Sequence, residues 1–269
     1  MSDFATPGNL VTLGLCLLSA ALWCLIGVRA ALGRSPLALQ PREPCPWSSW
    51  AVGLAFPVSL LVQTIVIESA PVGDLSVERV QRGCLAKVAE AAVLMGLLAL
   101  GTPIRASDFG LNRRTAVADI AIGIGGFLAA WLPVWGVNVA VFLAGFRQED
   151  QVHPYFKILE ASPGAATLGW MVLAAVFLAP LVEELLFRVV IQGGLESRIS
   201  PRAALLFVSI LFAWIHSLDG RPDALPLFPL AFILGYVYYR RHSLLAVFTM
   251  HALFNATFLM LALMKRPSS

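Results

Sequence analysis

Charge is what this sequence has least of. Only 13% of its 269 residues are Asp, Glu, Lys or Arg, while 58% are hydrophobic. A soluble globular chain carries roughly 25% charged residues, so this one lacks the polar surface needed to stay in water. The net charge of +3 is small and spread along the chain, and no basic face points to a nucleic-acid partner. Cysteine is sparse too. Cys16, Cys24, Cys45 and Cys84 include no CxxC pair and read as small apolar side chains or unpaired thiols. Basic residues are missing ahead of the first apolar run, and no small-residue cleavage site follows it. That run therefore reads as a retained transmembrane helix rather than a signal peptide. There is no internal repeat, no low-complexity segment and no HExxH zinc helix.

What the sequence does hold is long apolar runs. A spanning helix needs about 20 mostly apolar residues. Eight stretches qualify as candidates: 9–28, 49–68, 84–102, 117–146, 166–187, 202–217, 224–240 and 243–264. They predict an all-α polytopic bundle of about eight transmembrane helices, organised as one membrane domain over 1–269. The fourth stretch is long and contains Gly123, Gly125, Gly126 and Pro133, which suit a kink or a close helix contact. The sixth and seventh are short. The prolines between 34 and 47 end the first span, and 74–82 reads as a polar surface helix leading into the third. Residues 105–114 are a polar turn whose DFG string has no kinase context, and 147–164 is the longest polar connection. Of 19 Lys and Arg, ten fall in the odd-numbered connections and seven on the opposite side. The positive-inside bias thus places both termini outside.

Ionisable residues inside apolar helices cost about 2.5–3.5 kcal/mol each at a helix centre. They persist when they pair, line a cavity or do chemistry. Three clusters lie in the C-terminal half. EELLFR at 183–188 puts Glu184 and Arg188 four apart on one helix face, where they can form an ion pair. Glu183 points about 100° away, without a partner in the sequence, and can serve as a general base. FAWIH at 212–216 stacks Phe212 one turn before His216. HALFN at 251–255 projects His251 and Asn255 into one space, where a pair of donors suits an oxyanion. Each cluster alone has a plainer reading, as interface glutamates that snorkel or as interhelical hydrogen bonds. The conjunction carries the argument: two of only four histidines share the apolar half with the glutamate helix. Lys87 with Glu90, and Asp119, read as paired surface or interface features. His153 and His242 read as solvated loop residues.

In order and without a substitution, the three clusters resemble the EExxxR, FxxxH and HxxxN signature of the CAAX prenyl protease and bacteriocin-processing family. The resemblance covers about 167–263, leaving 1–165 as variable N-terminal spans and 166–264 as the core. It implies hydrolysis of peptide bonds within or beside the bilayer, with a membrane-associated peptide or protein as substrate. It further implies that Glu183 and His216 polarise water, that His251 and Asn255 bind the oxyanion, and that Glu184, Arg188 and Phe212 hold the site in shape. A divalent metal such as zinc on Glu183, His216 and His251 and a metal-free glutamate–histidine mechanism both fit these residues; the missing HExxH tips the reading toward no tightly bound zinc. The setting would be the inner membrane of a bacterium. The sequence leaves open whether substrates are prenylated. Competing readings are a non-catalytic scaffold or bacteriocin-immunity protein, and a proton-coupled transporter.

Overall fold

The computed structural model describes residues 6–41, 45–68, 76–101, 103–146, 157–158, 164–217 and 224–264. Each of the eight apolar stretches forms a helix: α1 (Pro7–Ala31), α2 (Ser49–Glu68), α3 (Val77–Ala99), α4 (Ala116–Leu143), α5 (Ala165–Glu196), α6 (Pro201–Ser217), α7 (Ala224–Arg241) and α8 (Leu244–Met264). The described residues contain no strand. Helices are what apolar surroundings demand, because each one satisfies its own backbone polar groups. Local chemistry sets the ends. At the start of α1 the Thr6 hydroxyl accepts the Asn9 N–H at 3.3 Å and Pro7 takes the first helical position. Past its end Gly33 turns the chain at φ +69°.

The chain is a helical membrane bundle. α1, α2, α4, α5 and α8 are long and apolar enough to cross a bilayer, and α6 is apolar but only 17 residues long. α3 carries Glu78, Arg79, Arg82, Lys87 and Glu90 and does not qualify; nor does the 18-residue α7. Leu10, Leu13, Leu17 and Leu25 of α1 are each more than half exposed, an apolar exterior suited to lipid.

α4 lies between α1 on one side and α7 and α8 on the other, while α5 is enclosed by α2, α3, α6 and α8. The glycines of α4 set the contact with α8. A Cβ on Gly123 would lie 2.7 Å from Thr249 Cβ, and one on Gly126 would lie 2.8 Å from Met250 Sδ, whereas Gly125 faces nothing within 4 Å. Pro133 adds a second device. It has no N–H to give the Ala129 carbonyl one turn back; Trp23 of α1 donates its indole N–H to that oxygen at 2.9 Å. Below it, Trp131 packs against Phe127, Phe254 and Phe258, tying α4 to α8.

Some expectations about polar residues need correction. His242 is not solvated. Its side chain is 13% exposed, with Nε2 3.3 Å from Glu196 Oε2, because the turn joining α7 to α8 folds it back against the end of α5. Lys87 and Glu90, read as a paired surface or interface feature, take the interface form: they pair at 3.2 Å, and Glu90 is buried with its carboxylate also accepting the Ser59 hydroxyl of α2. Asp119 is paired as expected, and its partner is Arg241 at 2.7 Å, joining the start of α4 to the end of α7. The 74–82 segment begins α3 itself, from Val77. His153 lies outside the described residues.

Candidate active site

The site is organised by α5. Two stretches of this helix, Leu173–Leu178 and Leu185–Gln192, are π-helical, separated by α-helical turns at Ala179–Glu184. Such wide turns free or redirect carbonyls and cluster at functional sites. Here one consequence is visible. In the first stretch the Ala179 N–H bonds to the Ala174 carbonyl, five residues back. The same pattern assigns the Ala175 carbonyl to residue 180, which is a proline with no N–H. Asn255 of α8 fills the gap: its Nδ2 donates to the Ala175 carbonyl at 2.8 Å. This amide therefore has a structural partner, and its second N–H remains for other work.

Glu183 and Glu184 end the α-helical turn and face different neighbours. Glu184 is fully buried. Its Oε2 accepts Arg188 Nε at 3.1 Å, the i, i+4 pair that the sequence predicts, and its Oε1 accepts the His251 Nδ1–H at 2.8 Å. Arg188 is equally buried, and its guanidinium lies 5.2 Å from the centre of the Phe212 ring. Phe212 is the packing hub. Its ring centroid lies 4.5 Å from that of His216, 5.9 Å from that of His251 and 5.1 Å from that of Phe187.

Both catalytic-candidate histidines are held by the nitrogen that does not face the site. His216 Nδ1 donates to the Phe212 carbonyl at 2.7 Å, as His251 Nδ1 does to Glu184. Each Nε2 is thereby turned to the same atom. Glu183 Oε2 lies 4.0 Å from His216 Nε2 and 4.0 Å from His251 Nε2. Glu183 is 17% exposed and His216 32%, so the point of convergence is reachable from outside the bundle. Helices α5, α6 and α8, separate in sequence, thus bring together Glu183, His216 and His251. Glu184, Arg188 and Phe212 stand directly behind them. Asn255, one turn beyond His251, is engaged with the α5 backbone.

These donors can be tested against a metal. Tetrahedral zinc, bound at about 2.0–2.1 Å, draws its ligand atoms to roughly 3.4 Å from one another. Separations of 4.0 Å are too wide for that, and no group of three His, Cys, Asp or Glu among the described residues is close enough to hold an ion. A single water making hydrogen bonds of about 2.8 Å to each atom spans the same distance comfortably.

One residue here escaped the sequence reading. Lys87 of α3 lies 3.7 Å from Glu183 Oε1. Its spacing to Glu90 announced one pair within α3, but nothing in that spacing announces a third member on α5. A polar cavity of about 390 Å³ lies elsewhere, lined by Asn112, Arg113, Arg241 and His242 among others, and contains none of these groups.

Residues 165–257 match the profile of a family described as Rce1-like, type II CAAX prenyl endopeptidase. The matched segment runs from the start of α5 into α8 and includes all three motifs, so the family resemblance read from the motifs is shown over this part of the chain. No curated protein and no solved structure matches the sequence.

Proposed function

We propose that the protein is an intramembrane peptidase that hydrolyses peptide bonds of membrane-associated substrates with a water activated by Glu183 and His216. The observation that carries this reading is the convergence of Glu183 Oε2 with two imidazole Nε2 atoms at 4.0 Å each, both rings locked from behind. A water at that point donates one proton to Glu183 and the other to His216 Nε2, whose own proton is committed to the Phe212 carbonyl. Glu183 takes the proton as the water oxygen attacks the carbonyl carbon, and later passes it to the leaving amine. The tetrahedral oxyanion is held by His251, its Nδ1–H kept on Glu184 and its Nε2–H turned to the site, and by the second N–H of Asn255. No step is assigned to a metal.

A lipid-bearing substrate class is supported by the surroundings. An almost wholly apolar groove of about 530 Å³ lies between α3 and α5, the two helices that carry Lys87 and Glu183. Cys84, Leu85, Val88, Trp170, Leu173 and Leu178 line it, which favours peptides bearing a lipid, as in prenylated CAAX-type sequences. A family profile described by that activity supports the same class.

The test is cleavage of fluorogenic peptides, with and without a prenyl group, by detergent-purified wild type and Glu183→Gln, with and without chelator. Loss of cleavage in a folded Glu183→Gln protein supports the reading, and insensitivity to chelator supports the metal-free step. Equal rates in the two proteins would return the chain to the scaffold or transport readings.

A further inference from the structure

We propose that Lys87 is a positioning residue for Glu183, reaching from α3 to hold the carboxylate in the orientation that aims Oε2 at the two imidazoles. This inference rests on the peptidase reading. The two oxygens of Glu183 are divided between neighbours: Oε1 lies 3.7 Å from the Lys87 ammonium, and Oε2 lies 4.0 Å from His216 and from His251. A carboxylate on a flexible side chain has no reason to present one particular oxygen unless the other is held. Lys87 supplies that hold and is itself anchored, since Glu90 pairs with it at 3.2 Å. Glu90 is 1% exposed and accepts the Ser59 hydroxyl. The resulting chain Ser59–Glu90–Lys87–Glu183 crosses from α2 through α3 to α5.

The charges of this chain suit a base that changes protonation. When Glu183 takes a proton from water, its ion pair with Lys87 is discharged. An ammonium stranded in that setting would be costly, but Lys87 keeps Glu90 as a counter-ion throughout. Glu90 is thus a resident partner, and Glu183 is free to gain and lose its proton. Within the apolar bundle, ion pairs left incomplete are penalised far more than on a water-exposed surface, which is why three charged residues persist here together.

The test uses the full chain in detergent and the same fluorogenic peptide, comparing wild type with Lys87→Met, Lys87→Arg and Glu183→Gln. Lys87→Met is expected to lower kcat about 10- to 100-fold, the scale of a misaligned reacting group, with KM within about twofold. Lys87→Arg, which restores the charge, should recover most of that loss. Folding of each variant is checked by melting temperature and gel filtration; should Lys87→Met not fold, Lys87→Gln replaces it. A folded neutral variant that turns over at the wild-type rate overturns the proposal, as does an Arg variant as slow as the neutral one. Wild type and Glu183→Gln cleaving equally would instead remove the peptidase reading, and this inference with it.

Discussion

Glu184 and His251 are 67 residues apart in the chain and 2.8 Å apart in space. The contact joins α5 to α8 and, because the other oxygen of Glu184 is bound by Arg188 at 3.1 Å, both acceptors of a fully buried carboxylate are engaged. Its neighbour Glu183 faces the point of convergence instead. Two adjacent glutamates on one helix thus have separate tasks, one holding a histidine and the other facing it.

Glu184→Gln should damage folding and chemistry together. The substitution leaves Arg188 as a buried charge without its carboxylate, a change of about 3–5 kcal/mol, and removes the group that fixes the His251 ring. A large fall in melting temperature, together with loss of cleavage in whatever protein remains folded, is the expected result. Wild-type stability in detergent would show that Arg188 finds other compensation.

Asn255 and Pro180 should be energetically coupled through the Ala175 carbonyl. Asn255→Ala leaves that oxygen without its donor, at about 1–3 kcal/mol. Pro180→Ala restores a backbone N–H at the position that the π-helical pattern assigns to it. In a double-mutant cycle read by thermal unfolding, the second change should offset part of the first, with a coupling of about 0.5–3 kcal/mol. Strictly additive effects would mean that the amide is not standing in for a missing backbone bond.

The glycines of α4 should respond in opposite senses. Gly123→Ala forces a Cβ to 2.7 Å from Thr249 Cβ, and overpacking of this kind costs about 1–3 kcal/mol. Gly125→Ala meets nothing within 4 Å and should be neutral or gain about 0.5–1 kcal/mol from helix propensity. Melting temperatures of the two variants side by side decide the matter.

Asp119→Asn separates stability from catalysis. It weakens the 2.7 Å pair with Arg241 between α4 and α7, a loss of several kcal/mol if Arg241 is left buried and unpaired. The pair lies outside the Glu183 cluster, so kcat per folded molecule should stay near wild type. A kcat loss as large as that of Glu183→Gln would show that the α4–α7 contact reaches the site.

Much of this is legible in the sequence itself. The eight apolar stretches became eight helices because a chain with little charge, placed in lipid, satisfies its backbone within each segment. The Glu184–Arg188 pair followed from four-residue spacing on a helix, and so did the stacking of Phe212 on His216. Both are local geometry, determined by 3.6 residues per turn wherever the helix lies. The three motifs gave the chemical types and their order for the same reason.

Contacts between helices were another matter. Lys87 meeting Glu183, His251 meeting Glu184 and Asp119 meeting Arg241 each join residues from different helices, and an apolar helix surface carries no periodic mark naming its neighbour. His242 looked like a loop residue because it sits between two helices; the fold turned it inward to Glu196. The carbonyls left by Pro133 and Pro180 needed donors, which local rules require without saying that Trp23 and Asn255 supply them. Sequence settled which residues are costly to place in a membrane and how they are spaced along each helix, because both follow from hydration and helical pitch. Packing alone decided which of those costs cancel against one another, because that depends on which helices touch and at what rotation.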